Sequence, residues 1–245
     1  VKNNLDSKED DEEEKSSFKD LLRPALRLVL LIGLVIGILQ QITGINSVFF
    51  YAPMIFEQSG IGTDASFSQA ILVGLINLVF TILAMLMIDR LGRRPLLLFG
   101  VSGIAICMFI PSLGFSQAEY KLSSESIKEL PVEIDRARLT SMLDVEYGND
   151  LEFKRALIES LGESSAQKYE SQLITAGVSM NSYLILFGIL GFVASFAISV
   201  GPVMWVLFSE LFPNAIRAVA ISFVGFVNSV ISFLVQLVFP WELEI

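Results

Sequence analysis

An all-α integral membrane fold, a helical bundle with five transmembrane helices and a polar helical insert, is predicted from three observations. The 245 residues are 53% hydrophobic with a mean hydropathy of +0.64, too apolar to fit inside one soluble core. The apolar residues fall in blocks of bilayer length, about 20 residues being enough to cross as helix. Charge is segregated: the formal net charge of −9 sits almost wholly in the amino-terminal tail and one central segment. The acidic balance therefore describes water-exposed parts and says little about partners, since orientation follows Lys and Arg rather than net charge.

Composition also excludes chemistry. Histidine is absent, which removes His-based triads, His metal sites and imidazole relays. The single cysteine, Cys107, lies in an apolar run, cannot pair internally, and reads as a small packing residue. No signal peptide is visible, because the first apolar run is too late and too long for one. The chain starts at Val1 and stops at Ile245, and is expected to be a fragment.

Residues 1–20 carry the acidic cluster Glu9-Asp10-Asp11-Glu12-Glu13-Glu14 without apolar periodicity, and are expected to form a solvated linker. Arg23 and Arg27 flank the first span, with Pro24 at its first turn. Gly33 and Gly37 form a small-xxx-small pair that admits a neighbouring helix. The apolar run from Leu28 to Phe56 is then interrupted by Gln40-Gln41-Ile42-Thr43-Gly44-Ile45-Asn46. Each of these amides needs a partner in hydrocarbon, where an unpaired one costs several kcal/mol. Either neighbouring helices satisfy them, or a cavity and its ligand do, as in transporters built on discontinuous helices. Helix is expected to resume through Tyr51, with Pro53 early in that second piece.

The second span runs from about Ala70 to Ile88, with Asn77 near its middle. Asp89-Arg90-Leu91-Gly92-Arg93-Arg94-Pro95 makes a short connection to a third span ending near Phe115. So many arginines in so short a loop are a strong positive-inside signal. Residues 116–178 lack any run able to cross a membrane. A short helix capped by Asp150 places Phe153, Leu157 and Leu161 on one face and closes at Gly162. A second starts at Ser164, with Tyr169 and Leu173 one turn apart. The segment reads as an amphipathic helical insert over the membrane surface or the mouth of the protein.

Residues 179–245 supply two more spans. The fourth, about Tyr183 to Ser209, is kinked at Gly201-Pro202. The fifth, about Ala218 to Phe239, bears Asn228, Ser232 and Gln236 at successive fours, a polar stripe that is either helix–helix glue or part of a site. Five crossings that start inside put Arg23 and Arg27, the Arg90–Arg94 loop and the Glu210–Arg217 loop on the cytoplasmic face, and residues 116–178 outside.

Three stretches carry a specific resemblance. Gln40 to Asn46, continued through Phe49-Phe50-Tyr51, is similar to the signature that opens the second half of sugar porters in the major facilitator superfamily. Asp89 to Pro95 resembles the superfamily's repeated Asp/Gly/Arg/Arg loop. Gly201-Pro202-Val203-Met204-Trp205, through Ser209-Glu210-Leu211-Phe212-Pro213 and Arg217, resembles the porter signature at the tenth helix. The resemblance implies a fold shared with an amino-terminal half and a final helix that this chain does not contain, with a small-molecule sugar as substrate, in the plasma or inner membrane. It implies sugar contacts at Gln40, Gln41, Asn46, Tyr51, Asn77, Phe196, Trp205 and Asn228. It also implies a gating cluster of Asp89, Arg93, Arg94, Glu210 and Arg217. The sequence departs from the family in the long insert, and at Ser229, where the family often has tryptophan.

The residues themselves agree with a neutral ligand. No Asp, Glu, Lys or Arg lies within the expected spans, so the buried charges typical of ion relays are missing from them. The amides both donate and accept, as sugar hydroxyls do, and Phe196 and Trp205 suit the apolar C–H face of a sugar ring. The expected function is transport of a hexose or pentose by alternating access, either proton-coupled or by facilitated diffusion. The alternative is a non-transporting sugar sensor of the same fold. An enzyme is not expected, since the spans hold no nucleophile–base pair or metal-ligand cluster, and no cofactor or nucleic-acid partner is expected.

Overall fold

A computed structural model describes residue 21 and residues 23–243. The acidic stretch 1–20 lies outside the described residues. Five helical segments are long and apolar enough to cross a membrane: Pro24–Gln58, Asp64–Leu91, Arg93–Ser116, Ser182–Leu211 and Arg217–Trp241. Each covers one of the expected spans, and most run a turn or two longer, because helix continues past the apolar residues into polar ends.

The first span is two helices, α1 (Arg27–Ile42) and α2 (Ile45–Gln58). Pro53 stands in the interior of α2 rather than near its start, so the carbonyl one turn before it lacks its usual helical donor. Helix α3 (Thr63–Leu91) meets α4 (Arg93–Ser116) with only Gly92 between them. That turn requires φ of +83° at Gly92, a region glycine enters without a Cβ penalty.

The fourth span also divides, into α9 (Ser182–Ile198) and α10 (Val200–Leu211). The break falls at Ser199, three residues before the expected kink. Pro202 supplies the reason: it has no N–H for the carbonyl four residues back, Ile198, so the strain appears one turn upstream. The Ser199 hydroxyl donates to the Ser195 carbonyl and steadies the break. Helix α11 (Arg217–Leu243) closes the set.

Small residues set the helix packing. Gly33 and Gly37 of α1 face the end of α10 and α11, where an added Cβ would lie 3.0 Å from Phe212, just past α10, and 3.2 Å from Val224 of α11 respectively. Along the α4–α9 seam a methyl group at Gly100 would overlap Ser199, and one at Gly103 would press on Ser195. On the facing side Gly191 receives Cys107, and Gly188 receives Pro111. Backbones thus approach closely, as small-residue faces allow in lipid, and Cys107 is a packing residue. Phe56, Ile185, Phe192 and Val193 form the buried centre at one end of the bundle. Met204, Phe208, Phe212 and Val224 form it at the other.

The insert is folded on a core of its own rather than spread as amphipathic helices. It contains β1 (Glu119–Lys121), α5 (Ser126–Glu129), β2 (Glu146–Tyr147), α6 (Asp150–Leu161), α7 (Glu163–Lys168), α8 (Glu170–Gly177) and β3 (Val178–Ser179). The strands pair antiparallel in the order β2-β1-β3, with Tyr120 opposite Tyr147 on one side and Val178 on the other. Leu122, Leu139, Met142, Phe153, Leu157 and Leu173 are buried together beneath them. The cap of α6 is Asn149, not Asp150: its side chain accepts from the Glu152 N–H at 2.8 Å. Glu152 in turn accepts from the Gly148 N–H at 3.1 Å, a near relative of the capping box. The insert is tied to the bundle where Val178 covers Gly60; just beyond it, the Ser182 hydroxyl of α9 donates to the Ser59 carbonyl at 2.7 Å.

Candidate functional site

The interruption of the first span is narrower than its sequence suggests. Gln40 and Gln41 lie in the last turn of α1 and Asn46 in the first turn of α2, leaving only Thr43 and Gly44 between the helices. Gly44 adopts φ of +77°, the left-handed conformation that ends helices and favours glycine. The Thr43 hydroxyl donates to the Gln40 carbonyl at 2.6 Å, and the Gly44 N–H to the Gln41 carbonyl at 3.0 Å. The turn therefore satisfies much of its own backbone.

The side-chain amides look across to α11. Asn228 Nδ2 donates to the Gly37 carbonyl and to Gln40 Oε1, both at 2.8 Å. Its Oδ1 accepts from Gln41 Nε2 at 3.0 Å, and Gln41 Nε2 also reaches Gln40 Oε1 at 3.2 Å. Asn46 Nδ2 donates to Gln41 Oε1 and to Ser232 Oγ, both at 2.8 Å. Gln236 Nε2 donates to the same hydroxyl at 2.9 Å. The result is a neutral, continuous network that joins both halves of the broken span to one face of α11. Such networks are stabilising only when nearly complete; here both polar side-chain atoms of Gln41 and of Asn228 are bonded, and Gln40, Gln41 and Asn228 are all buried.

Its other side opens into a cleft of about 510 Å³. Gln41, Asn46, Asn228 and Ser232 supply polar walls, and Phe233 and Leu237 apolar ones, with Ser229 and Gln236 at the margin. No charged residue among the described ones lines it. Asn46 Oδ1 and Gln236 Oε1 make no hydrogen bond among the described residues, which leaves acceptors free at the cleft.

The structure brings four of the eight residues read as sugar contacts into one network: Gln40, Gln41, Asn46 and Asn228. Gln40 sits behind the cleft wall, and the other four belong to neither the network nor the lining. Tyr51 packs its ring 5.2 Å from that of Phe239. Phe196 is buried against Gly201 and the core of α2 and α9. Trp205 is 46% exposed and sits edge-on to Phe208 at 5.9 Å. Asn77 is half-buried on α3 and makes no hydrogen bond among the described residues. In their place the cleft uses Ser232, Gln236, Ser229 and Phe233. The signal for the first two was in the sequence, as Asn228, Ser232 and Gln236 share one helical face. Nothing in the sequence distinguishes Phe233 from the lipid-facing phenylalanines around it.

The arginine loops meet at the opposite end from the insert. Arg93 pairs with Glu210 across the α4–α10 boundary and lies 3.9 Å from Asp89. Arg217 forms no ion pair among the described residues: its Nε donates to the Phe212 carbonyl at 3.2 Å, closing the loop before α11. Arg94 is exposed and forms no ion pair among the described residues.

A family model described as "Sugar (and other) transporter" matches residues 1–128 and 166–244. The D-xylose-proton symporter of Escherichia coli (strain K12) is 34% identical over 212 residues, which cover 86% of this chain and 31% of that protein. The arabinose-proton symporter of Bacillus subtilis (strain 168) is 29% identical over 206 residues, 84% of this chain and 32% of the relative. Among solved structures, a crystal structure of D-xylose-proton symporter superposes with a TM-score of 0.54 at 32% identity, covering 86% of this chain and 34% of that one. The chain thus spans about a third of the length of the relatives it matches. Only the middle of the insert, residues 129–165, falls between the two matched regions. The family is one of transporters rather than enzymes, and with its apolar helices and major-facilitator fold this chain belongs to it as an integral membrane member of the sugar (and other) transporter family.

Proposed function

We propose that this chain forms part of a porter that moves a neutral monosaccharide, a pentose or hexose, across the membrane by alternating access. The observation that carries the reading is the uncharged amide network at the broken first span, opening on a cleft with free acceptors and, among the described residues, no ionised group. Sugar hydroxyls both donate and accept, so they suit such a cleft, and the Phe233 ring beside it suits a sugar's C–H face. The cleft is formed by one set of helices here; an amino-terminal half and a final helix would complete the cavity in the whole protein. Asp89, Arg93 and Glu210 act as a cytoplasmic gate, with Arg94 and Arg217 at its edge. The arginine loops face the cytoplasm and residues 116–178 the outside.

Coupling to protons is supported by the names of the xylose and arabinose relatives. Between their charged ends the five spans hold no carboxylate, so a coupling acid belongs to another part of the protein. The test is uptake of labelled D-xylose, L-arabinose and D-glucose by vesicles carrying the full-length protein, with and without a proton gradient. Saturable uptake of one or more sugars is expected. Sugar binding without uptake under either condition would replace the transporter with a sensor.

A further inference from the structure

A second cavity, of about 450 Å³, opens where the insert meets the bundle. It lies at the carboxy end of α2, beside Gln58, twelve residues or about 18 Å of helix beyond Asn46. The volume is in the range of small-molecule sites, about 300–1,000 Å³. Gln58 and Phe115 form its bundle side; Tyr120, Asn149, Asp150 and Lys154 form its insert side.

The chemistry of the wall selects a ligand class. Lys154 is neutralised, 3.7 Å from Asp150 and 3.3 Å from Glu170, so no uncompensated cation is available to hold an anion. Tyr120 is only 8% exposed, and its hydroxyl makes no hydrogen bond among the described residues. Burial, and then the neighbouring Asp150 carboxylate, push its pKa up to about 12, so it is a neutral phenol able to donate and accept. Tyr120 lines the cavity, and a phenol there can exchange hydrogen bonds with water or a ligand. The Gln58 amide adds both hydrogen-bonding senses and the Asp150 carboxylate a strong acceptor, while the Phe115 and Tyr120 rings give apolar faces. Amide, carboxylate and phenol set among aromatic rings match a polyhydroxylated neutral molecule.

We propose that this cavity is an outer carbohydrate subsite, which holds a neutral mono- or disaccharide at the extracytoplasmic mouth before it reaches the amide cleft. The proposal rests on the reading of the chain as part of a sugar porter. Asn149, Asp150 and Lys154 lie in the segment outside the family match, so the subsite is a feature of this chain's insert rather than of the shared fold.

The test is equilibrium binding of labelled D-xylose and D-glucose to the purified full-length protein in lipid nanodiscs. Two molecules bound per protein are expected for at least one of these sugars. Tyr120→Phe, which keeps the ring and its packing, and Gln58→Ala, on the opposite wall, should each weaken one of the two sites at least fivefold. The site removed by Gln41→Ala should keep its affinity within twofold in both variants. One bound molecule in the wild type, or two that survive both substitutions, would overturn the subsite. So would loss of both sites in either variant on monodisperse protein, since that would make the residues structural. If Gln41→Ala changes no binding while Tyr120→Phe does, the amide cleft fails as a sugar site and the outer subsite stands.

Discussion

Gln41, in the last turn of the first half-span, donates a 3.0 Å hydrogen bond to Asn228 on the final described helix, 187 residues later. Through it the helix break is fastened to α11 rather than merely tolerated by it. Asn228 also donates to the Gly37 carbonyl and to Gln40, so one side chain holds three groups of α1. Asn228→Ala should therefore destabilise the folded protein by more than the 1–3 kcal/mol of a single unsatisfied group. Gln236→Ala, at the open margin of the network, should cost well under 1 kcal/mol. Thermal unfolding of the purified variants in one detergent measures both, and equal losses would mean that Asn228 is not the hub.

The α4–α9 seam gives a test free of any ligand. Gly100→Ala places a methyl on Ser199, where the neighbour is a helix break with no room to move away. Overpacking of this kind typically costs about 1–3 kcal/mol, and the folded yield in membranes should fall. Gly74→Ala, with nothing within 4 Å of the added carbon, is the matched control and should leave yield unchanged. A normal yield for Gly100→Ala would contradict the packing.

The two glycines also mark what the sequence makes legible. Both are glycines in apolar helices, and only the fold reveals which one faces a backbone. The five spans were readable because bilayer length and apolar composition fix them locally. Gln40, Gln41, Asn46 and Asn228 stood out because uncharged amides in hydrocarbon require partners. Phe196 is not separable from core by sequence, since a buried aromatic beside a kink has the same signature whether it meets a ligand or Gly201. The strands of the insert, two or three residues each, are too short to show alternation. Its Asn149 cap was hidden by the equally good capping residue that follows it.

Sidedness follows from the arginine loops. Ser124 and Ser164 are exposed on the insert, so single cysteines there, in a Cys107→Ala background, should react with an impermeant thiol reagent on intact cells. Cysteines placed at Arg90 or Asn214 should react only after lysis. The reverse pattern would invert the topology.

At the end proposed to face the cytoplasm, Glu210→Ala removes an ion-pair partner of Arg93. Partly exposed pairs contribute roughly 0–1 kcal/mol each, so the expected effect is a shift of a few-fold toward the inward-facing state. It would be read as faster labelling of a cysteine in the cytoplasmic cavity. Arg217→Ala, which loses a bond to the Phe212 carbonyl and no ion pair, should change stability more than labelling rate. Unchanged labelling in Glu210→Ala would remove the pair from the gate.

The central claim is that the amides of the broken span hold sugar hydroxyls, and sugar affinity per correctly folded molecule tests it most directly. Gln41→Ala and Asn46→Ala, measured on the full-length protein against wild type, should each weaken binding by about 1–3 kcal/mol, or about five- to a hundredfold. Normal affinity in the surviving protein, with only the folded yield reduced, would show that the network is interhelical glue and that the sugar binds elsewhere.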